Sequence, residues 1–252
     1  MAKNDDPVMS PSDVVEALQL LTRLPVPFAD TPRGARAAWA YPMVGLVVGA
    51  LAAAVGLTAH ALSLPPALCA LCALTALIVT TGALHEDGLA DTADGLWGGW
   101  TPERRLEIMK DSRIGAYGVI ALFLALSARW SALWMLFTAD PAVAAAAILV
   151  AATASRAMMP PVMAVLPNAR QDGLSAGVGD VPLAAALIAL GTGLGIALIF
   201  AGTGGAMALI WACLATFVLA RIALKKIGGQ TGDILGATQQ LSEIAVLLSL
   251  LA

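Results

Sequence analysis

The chain has 252 residues, of which 59% are hydrophobic and 12% are charged, and its net charge is -3. Soluble domains are usually about 45–50% apolar and about 25% charged, so this composition, with a mean hydropathy of +0.84, is typical of a membrane protein. The chain is weakly acidic and has no long basic run, so nothing in it supports a nucleic-acid partner.

The first predicted element is an amphipathic helix over residues 10–24, SPSDVVEALQLLTRL. Ser10 and Asp13 form the S-x-x-D pattern of a capping box, and the proline between them suits the first helical position. A helix with one apolar stripe and several charged positions is expected to lie in the membrane interface rather than to cross it. The apolar side chains that recur at helical spacing are Val14, Leu18, Leu21 and Leu24.

Apolar runs long enough to cross a hydrocarbon core of about 30 Å follow in pairs. Because lipid offers no hydrogen-bond partners, such runs must be helical. We therefore expect an all-α, polytopic membrane protein that forms a single integral-membrane catalytic domain over residues 1–252. The six predicted transmembrane helices are Tyr41–Leu62, Pro66–Leu84, Ala116–Thr138, Ala142–Val165, Pro182–Ala201 and Gly204–Leu224, and a seventh candidate is Leu235–Ala252.

Features inside the spans indicate how the helices pack. Gly45 and Gly49, and likewise Gly191 and Gly195, have the G-x-x-x-G spacing that predicts close helix packing in lipid. Arg129 is the basic residue placed most deeply within an apolar run, where it either pairs in the bundle interior or contacts substrate. The sequence leaves both alternatives open.

The basic residues outside the spans lie on one side of this topology, and the alternate connections have none. By the positive-inside rule, the N-terminus and all long polar segments are expected to be cytoplasmic. A transporter usually has polar groups along its whole path, so this asymmetry favours a site at one membrane face. The basic residues are Lys3, Arg23, Arg33, Arg36, Arg104, Arg105, Lys110, Arg113, Arg170, Arg221, Lys225 and Lys226.

The segment His85–Gly99, HEDGLADTADGLWGG, concentrates carboxylates in a chain that has few. Asp87, Asp91 and Asp94 are spaced i, i+4, i+7, so on a helix they project from one face. A divalent cation would relieve their mutual repulsion, and oxygen-only ligands favour Mg²⁺ or Mn²⁺ over zinc. We expect Gly88 and Gly95 to let a bulky anionic group approach the backbone. The alternative is a solvated acidic helix end.

Other polar segments on the same predicted side carry groups that suit a phosphate. In KDSRIGAYG, Asp111 and Arg113 form either a phosphate clamp or a helix cap. Arg156 lies within the fourth span and needs an anionic partner at that depth. Two further segments, LPNARQDGLSAGVGD and KKIGGQTGDILGA, add the candidates Arg170, Asp172, Lys225 and Asp233, although Lys225 is equally well explained as a positive-inside anchor.

Acids that suit Mg²⁺ and several basic, glycine-rich segments on one membrane face are typical of a phosphoryl-transfer site. In such a site an alcohol activated near the metal would displace a nucleotide. His85 and Glu86 are the candidate proton acceptors, and the alternative for His85 is a local hydrogen bond.

These motifs together resemble the cobalamin-5′-phosphate synthase family, also called adenosylcobinamide-GDP ribazoletransferases. The segments LQLLTRLPVP, HEDGLADTADG, KDSRIGAYG, SR followed by LPNARQDGLSAGVG, and GGQTGDILGATQQLSE look like the family in its order, from about residue 14 to the end. The resemblance implies that adenosylcobinamide-GDP combines with α-ribazole, or its 5′-phosphate, with release of GMP. It also implies Mg²⁺ as cofactor, and an enzyme of the bacterial or archaeal inner membrane.

The resemblance also implies roles for individual residues. Asp87, Asp91 and Asp94 become metal ligands, and a second set becomes substrate contacts. We further expect the lipid bilayer as the environment, and either a homo-oligomer or association with other corrinoid-assembly enzymes. The implied substrate contacts are Asp111, Arg113, Arg156, Arg170 and Asp233.

Two rival interpretations stay open at this point. The D-G-x-x-A-D-x-x-D-G arrangement is similar to the signature of CDP-alcohol phosphotransferases, but Asp91 replaces its arginine and the distal D-x-x-x-D is missing. An ion-coupled transporter could use the carboxylates as a cation site, but no inverted repeat is visible in the sequence.

Overall fold

The computed structural model describes residues 8–27 and 31–252, so Lys3 lies outside the described residues. Within these ranges the chain is helical and contains no strand, which confirms the all-α prediction. A short 3-10 helix, Gly34–Ala40, leads into α2. The α-helices are α1 Pro11–Leu21, α2 Tyr41–Ala61, α3 Pro66–Thr81, α4 Leu84–Gly98, α5 Pro102–Lys110, α6 Ala116–Ala139, α7 Pro141–Ala157, α8 Met159–Val165, α9 Leu174–Val178, α10 Leu183–Ile227 and α11 Gly232–Ser249.

The N-terminal helix forms where it is predicted, and its capping box is present. Polar contacts attach it to the chain that follows. Asp13 is fully buried and accepts hydrogen bonds from Trp39 Nε1 at 2.6 Å and Arg33 Nη1 at 3.0 Å. Glu16 accepts the backbone N–H groups of Arg33 and Gly34, both at 2.7 Å. The helix is thus held by charge-assisted hydrogen bonds as well as by its apolar stripe, and its position at a membrane interface stays a prediction.

Several helices have the length and hydropathy of membrane spans, which supports a membrane protein, but the predicted count of six spans and a seventh is not confirmed. Within the described ranges, four elements qualify as spans by themselves. The helices α3 and α4, which are bent by 85° relative to each other, would add one further span if they are counted together. The helix α4 is 15 residues long and does not qualify alone. The elements that qualify are Gly34–Ala61, Ala116–Ala139, Pro141–Val165 and Leu183–Ile227.

Two of the predicted spans differ from the structure for identifiable reasons. The predicted span Pro66–Leu84 ends early, at Thr81, because Gly82 and Ala83 have left-handed backbone angles with φ of 63° and 58°. The candidate Leu235–Ala252 belongs to α11, whose buried face includes several polar side chains. That helix is not among the described helices that have the length and hydropathy of a span.

The 45-residue helix α10 reverses direction near its middle. Gly202 has non-helical angles, with φ 54° and ψ -135°. A Cβ atom on Gly205 would lie 2.1 Å from the carbonyl oxygen of Ala197, so the two halves run back against each other. The reversal falls at the connection predicted between the runs Pro182–Ala201 and Gly204–Leu224.

Close packing of α2 against α7 forms the centre of the bundle. A Cβ on Gly45 would lie 2.2 Å from the carbonyl oxygen of Ala152, so this glycine is required for the helix contact and the predicted close packing is confirmed there. Gly191 and Gly195 have no atom within 4 Å of the equivalent position. The same prediction is therefore wrong for the second glycine pair, which faces open space within the described structure.

Candidate active site

The acidic segment forms one helix, α4, as the spacing predicts. Helix α4 crosses α11 so closely that their backbones are in contact. A Cβ on Gly236 would lie 3.2 Å from the Cα of Gly88. A Cβ on Gly95 would lie 2.4 Å from the Cγ of Met109. Gly88 and Gly95 thus contact neighbouring helices, and the expectation that they let an anionic group approach the backbone stays a prediction. Their function is to let α11 and α5 approach the acidic helix.

The crossing places the start of α11 beside the acidic face of α4. We call Asp87, Asp91 and Asp233 the acidic cluster. Arg170 approaches it, with Nη2 at 3.2 Å from Oδ2 of Asp233. Burial, followed by the charges of Asp87, Asp233 and Asp94, raises the pKa of Asp91 to about 7, although Arg170 opposes the shift. The single guanidinium of Arg170 does not balance the three carboxylates, so the cluster keeps surplus negative charge.

Asp94 shares the helix, but its carboxylate is turned towards α6. It is buried and accepts the backbone N–H groups of Gly115 at 2.6 Å and Gly118 at 2.9 Å, at the start of that helix. A Cβ on either glycine would lie 2.4 Å from an oxygen of this carboxylate. Across the described residues, no three His, Cys, Asp or Glu side chains converge on a common point suited to a metal. The three-aspartate metal set stays a prediction.

A second set of charged groups lies inside the bundle, and we call Glu86, Arg129, Gln240 and Glu243 the buried network. Arg129 Nη1 donates to Glu86 Oε1 at 2.7 Å, and its Nη2 lies 2.7 Å from Glu243 Oε1. Gln240 hydrogen-bonds both Arg129 and Glu86. Of the two alternatives for Arg129, the structure shows pairing in the bundle interior. The proton-acceptor role of Glu86 stays a prediction, and its Oε1 is already occupied by these donors.

His85 and Arg156 lie close to this network and have unfilled hydrogen-bonding capacity. Arg156 is 2% exposed and donates from Nη1 to the carbonyl of Ala152 at 2.9 Å. Its Nε, and the Nε2 of His85, are buried without a hydrogen-bond partner in the described structure. The anionic partner that the sequence requires for Arg156 is not within ion-pair distance among the described residues.

The remaining predicted contacts divide into pairs. Asp111 and Arg113 bind each other, with Nη2 to Oδ2 at 2.6 Å, in an exposed turn. This contact lowers the pKa of Asp111 to about 2. Asp172 pairs with Lys110, which lowers the pKa of the Asp172 carboxyl, and lies 3.8 Å from Nε of Arg170. Of this group, Arg170 alone contacts the acidic cluster.

The two lysines at the end of α10 point in different directions. Lys226 donates to the carbonyl of Leu96 at 2.6 Å and lies over the Trp97 ring at 4.4 Å, so it attaches α10 to α4. Lys225 is exposed and lines a surface hollow with Arg221. The structure does not bring Lys225 to the acidic cluster.

A cavity of about 140 Å³ adjoins the acidic cluster. Asp87 and Asp233 line it together with His85 and Ser175, and the rest of its wall is largely apolar. A concave, mostly apolar space with a few polar groups at one side is typical of a small-molecule site. The main apolar side chains of the wall are Leu20, Leu21, Met159, Met163, Val178 and Leu235.

Sequence reasoning missed the α11 members of the buried network. Gln239, Gln240 and Glu243 are buried, and Gln239 also donates to Ser155 Oγ at 3.0 Å. The available signal was three polar residues at i, i+1 and i+4, one helix face, in a segment that is otherwise apolar. Paired with the lone arginine of α6, that pattern predicts a buried ion pair.

Comparison with known proteins agrees with the motifs. A family model described as Cobalamin-5-phosphate synthase matches residues 13–251. A protein of Bradyrhizobium diazoefficiens named adenosylcobinamide-GDP ribazoletransferase is 49% identical over 242 residues, which cover 94% of this chain and 92% of that protein. Proteins with the same name from Mesorhizobium japonicum and Azorhizobium caulinodans are 48% and 45% identical, over 94% and 95% of this chain and 91% and 95% of theirs.

No solved structure matches the chain. The family model nevertheless extends over almost the whole sequence and includes α4, the Arg170 segment and α11, which together form the acidic cluster. The chain belongs to the cobalamin-5-phosphate synthase family.

Proposed function

We propose that the chain is an adenosylcobinamide-GDP ribazoletransferase that joins adenosylcobinamide-GDP to α-ribazole, or to its 5′-phosphate, and releases GMP. The observation that carries this proposal is the acidic cluster, which has surplus negative charge and lies beside a mostly apolar cavity. Relatives with this name are 49% and 48% identical to the chain over 94% of its length.

The donor chemistry of the acidic cluster fits Mg²⁺. Its ligands are all carboxylate oxygens, and a hard divalent cation would remove the repulsion that burial and neighbouring acids impose on Asp91. Asp87 and Asp91 would hold the ion, with Asp233 beside them. Asp94 already accepts the two amides of α6, one on each carboxylate oxygen, and is therefore not placed among the ligands. When bound, Mg²⁺ neutralises charge on the diphosphate.

The protein's own groups bind, orient and deprotonate in this scheme. Arg170 has an unpartnered Nη1 next to the cluster and is placed to bind a phosphate oxygen. The acceptor's hydroxyl oxygen forms a bond to the phosphorus that is linked to the corrinoid. The bond from that phosphorus to the oxygen of GMP breaks, and GMP leaves with the electron pair. The hydroxyl proton passes to a base, for which His85 in the cavity wall is the candidate.

The lining of the cavity supports the aromatic base of α-ribazole as its occupant. A space of about 140 Å³ is far too small for a corrin macrocycle. A guanine base has several polar groups along its edge, and each one buried without a partner costs about 1–3 kcal/mol. The aromatic base of α-ribazole is flatter and less polar, and the thioethers of Met159 and Met163 are suited to pack against it.

The location of the protein follows from the charges. With its basic residues on one side, the chain is proposed to cross the bacterial inner membrane with the N-terminus and the active-site segments in the cytoplasm. Self-association and contact with other corrinoid-assembly enzymes are also proposed, and crosslinking in native membranes tests both.

The experiment uses purified protein in phospholipid vesicles with adenosylcobinamide-GDP and α-ribazole. We expect GMP release that requires Mg²⁺ and is abolished by EDTA. Two parallel assays address the rivals: CDP-diacylglycerol as donor with a small alcohol, and cation flux across the vesicle membrane. Absence of GMP together with activity in either parallel assay contradicts the proposed function.

A further inference from the structure

A second cavity, on the outer surface of the bundle, has a different character from the site. It has a volume of about 330 Å³ and lies between α8 and both halves of α10. We call it the apolar groove. Val165 and Phe217 at its margin are 73% and 62% exposed, so the groove opens to the surroundings of the protein. Its wall also includes Val162, Leu190, Cys213 and Leu224.

Basic residues lie at one end of the groove. Arg221 lines it and also lines the adjoining hollow of about 350 Å³ together with Lys225. Residues four apart on a helix are neighbours on its surface, so these two side chains form one basic patch. Both are exposed, and neither has a hydrogen bond or an ion pair with any residue that the structure describes. An anionic group is the complement of this patch.

Contacts at the end of α10 place the basic patch beside the polar helices α4 and α5. Lys226 donates to the Leu96 carbonyl of α4, and Arg105 of α5 donates to the carbonyl of Lys226 at 2.9 Å. The patch therefore lies beside the polar segments, at the height expected for lipid headgroups. From there the groove follows α10 back to Cys213, over about 17 Å at 1.5 Å per residue. That length is close to one leaflet of the core, about 15 Å.

The width of the groove favours a chain narrower than a helix as its occupant. A volume of about 330 Å³ spread over ~17 Å gives a mean cross-section of ~20 Å². An α-helix with its side chains is about 10 Å or more in diameter and needs roughly four times that section. A single extended hydrocarbon chain fits a channel of this width.

We propose that the apolar groove and the basic patch form a binding site for an anionic phospholipid, with one acyl chain in the groove and the phosphate on Arg221 and Lys225. Basic pockets beside transmembrane helices on the cytoplasmic face are known to bind anionic headgroups. This assignment gives Lys225 a partner outside the catalytic site and does not depend on the proposed reaction.

The test is native mass spectrometry of the full chain in detergent, titrated with phosphatidylglycerol or with phosphatidylcholine of the same acyl chains. The wild-type protein should retain one phosphatidylglycerol with an apparent affinity about 10-fold above that for phosphatidylcholine. Arg221→Gln with Lys225→Gln should remove this preference. The control Arg104→Gln with Lys110→Gln removes the same charge from α5 and should preserve it.

A second pair of variants tests the groove itself. Ala220→Phe places a ring inside the groove and should reduce retention of both lipids. Ala142→Phe, at an exposed position at the start of α7, should have no effect. Equal retention of the two lipids by wild-type protein overturns the proposal, and so does unchanged phosphatidylglycerol binding in Ala220→Phe. A spectrum of protein dimers without lipid would identify a second copy as the occupant and would also overturn it.

Discussion

The helix α4 carries two groups of acidic side chains that have different electrostatic environments. Glu86 faces the bundle interior, where its Oε1 accepts hydrogen bonds from Arg129 at 2.7 Å and from Gln240 at 3.1 Å. Asp87 and Asp91 face the cavity side, where Arg170 is the basic group closest to the cluster and it already pairs with Asp233. In the buried network both carboxylates pair directly with Arg129 and Arg156 lies nearby, whereas in the acidic cluster three carboxylates share the guanidinium of Arg170.

This difference in charge compensation indicates a structural role for the buried network and a chemical role for the acidic cluster. Glu243 and Arg129 join α11 to α6, and Glu86 adds α4, so the network fixes the helices that present the cluster. A set of acids left without internal compensation has a free energy that an external cation can lower. We therefore propose that the buried network positions the helices and that the acidic cluster binds a cation, and the predictions below are designed to separate the two roles.

The largest expected effect is that of Asp91→Asn on catalysis. Loss of one carboxylate from the cluster should lower GMP release by about 10³-fold, because a bound metal contributes several kcal/mol of charge stabilisation. The melting temperature should change little, since Asp91 has no hydrogen bond in the structure's described part. Glu107→Gln, an exposed acid on α5, is the control and should retain full activity. An equally active Asp91→Asn protein would remove Asp91 from the site.

The buried network should respond in the opposite way. Arg129→Met leaves Glu86 and Glu243 buried without their cation and should reduce the free energy of unfolding by about 3–5 kcal/mol. Thermal unfolding in detergent measures this, with Arg104→Met as an exposed control that should shift the transition little. If Arg129→Met melts like the wild type, the network does not hold the helices together.

Gly118→Ala tests whether Asp94 is committed to α6. The new methyl group would lie 2.4 Å from a carboxylate oxygen of Asp94, so we expect a loss of about 1–3 kcal/mol in stability. Gly191→Ala has no atom within 4 Å and should be neutral or stabilising by up to about 1 kcal/mol. Equal melting temperatures for the two variants would show that Asp94 is free to leave the amides.

Met163→Trp tests the cavity that adjoins the cluster. The larger ring fills part of the wall and should raise KM for α-ribazole by about 10-fold while KM for adenosylcobinamide-GDP stays unchanged. Met135→Trp, at an exposed methionine of α6, is the matched control. A rise confined to the KM of adenosylcobinamide-GDP would assign the cavity to the other substrate.

The smallest effect concerns pH. The folded protein raises the pKa of Asp91 from 3.8 to about 7, so it binds this proton more tightly than the unfolded chain does. Its contribution to stability is therefore present at low pH and lost as the pH rises through about 7. The melting temperature of the metal-free wild-type protein should therefore fall more between about pH 5 and about pH 8 than the melting temperature of Asp91→Asn. Identical pH profiles would contradict the shifted pKa.

Much of the site could be predicted from the sequence because it depends on local spacing. The i, i+4, i+7 pattern placed three aspartates on one helix, and α4 confirms it. The hydrogen bonds of Asp94 to the start of α6 could not be predicted, since they depend on where that helix lies relative to α4. The partners of Arg129 likewise come from α4 and α11, which are distant in the chain.

The membrane topology was predicted less well, for a reason visible in the backbone. Hydropathy does not register a break of two residues, so the left-handed angles at Gly82 and Ala83 were missed and the span was drawn through them. The reversal at Gly202 was predicted because a glycine-rich connection between two long apolar runs is a strong signal.

The most direct test of the central difference is Mn²⁺ binding, followed by electron paramagnetic resonance of the purified, substrate-free protein. We expect wild-type protein to bind Mn²⁺ that Mg²⁺ displaces, Asp87→Asn with Asp91→Asn to lose this binding, and Glu107→Gln to keep it. Glu86→Gln, in the buried network, should also keep it as long as the protein is folded. Undiminished Mn²⁺ binding in the double aspartate variant, or its loss in folded Glu86→Gln alone, would contradict the account.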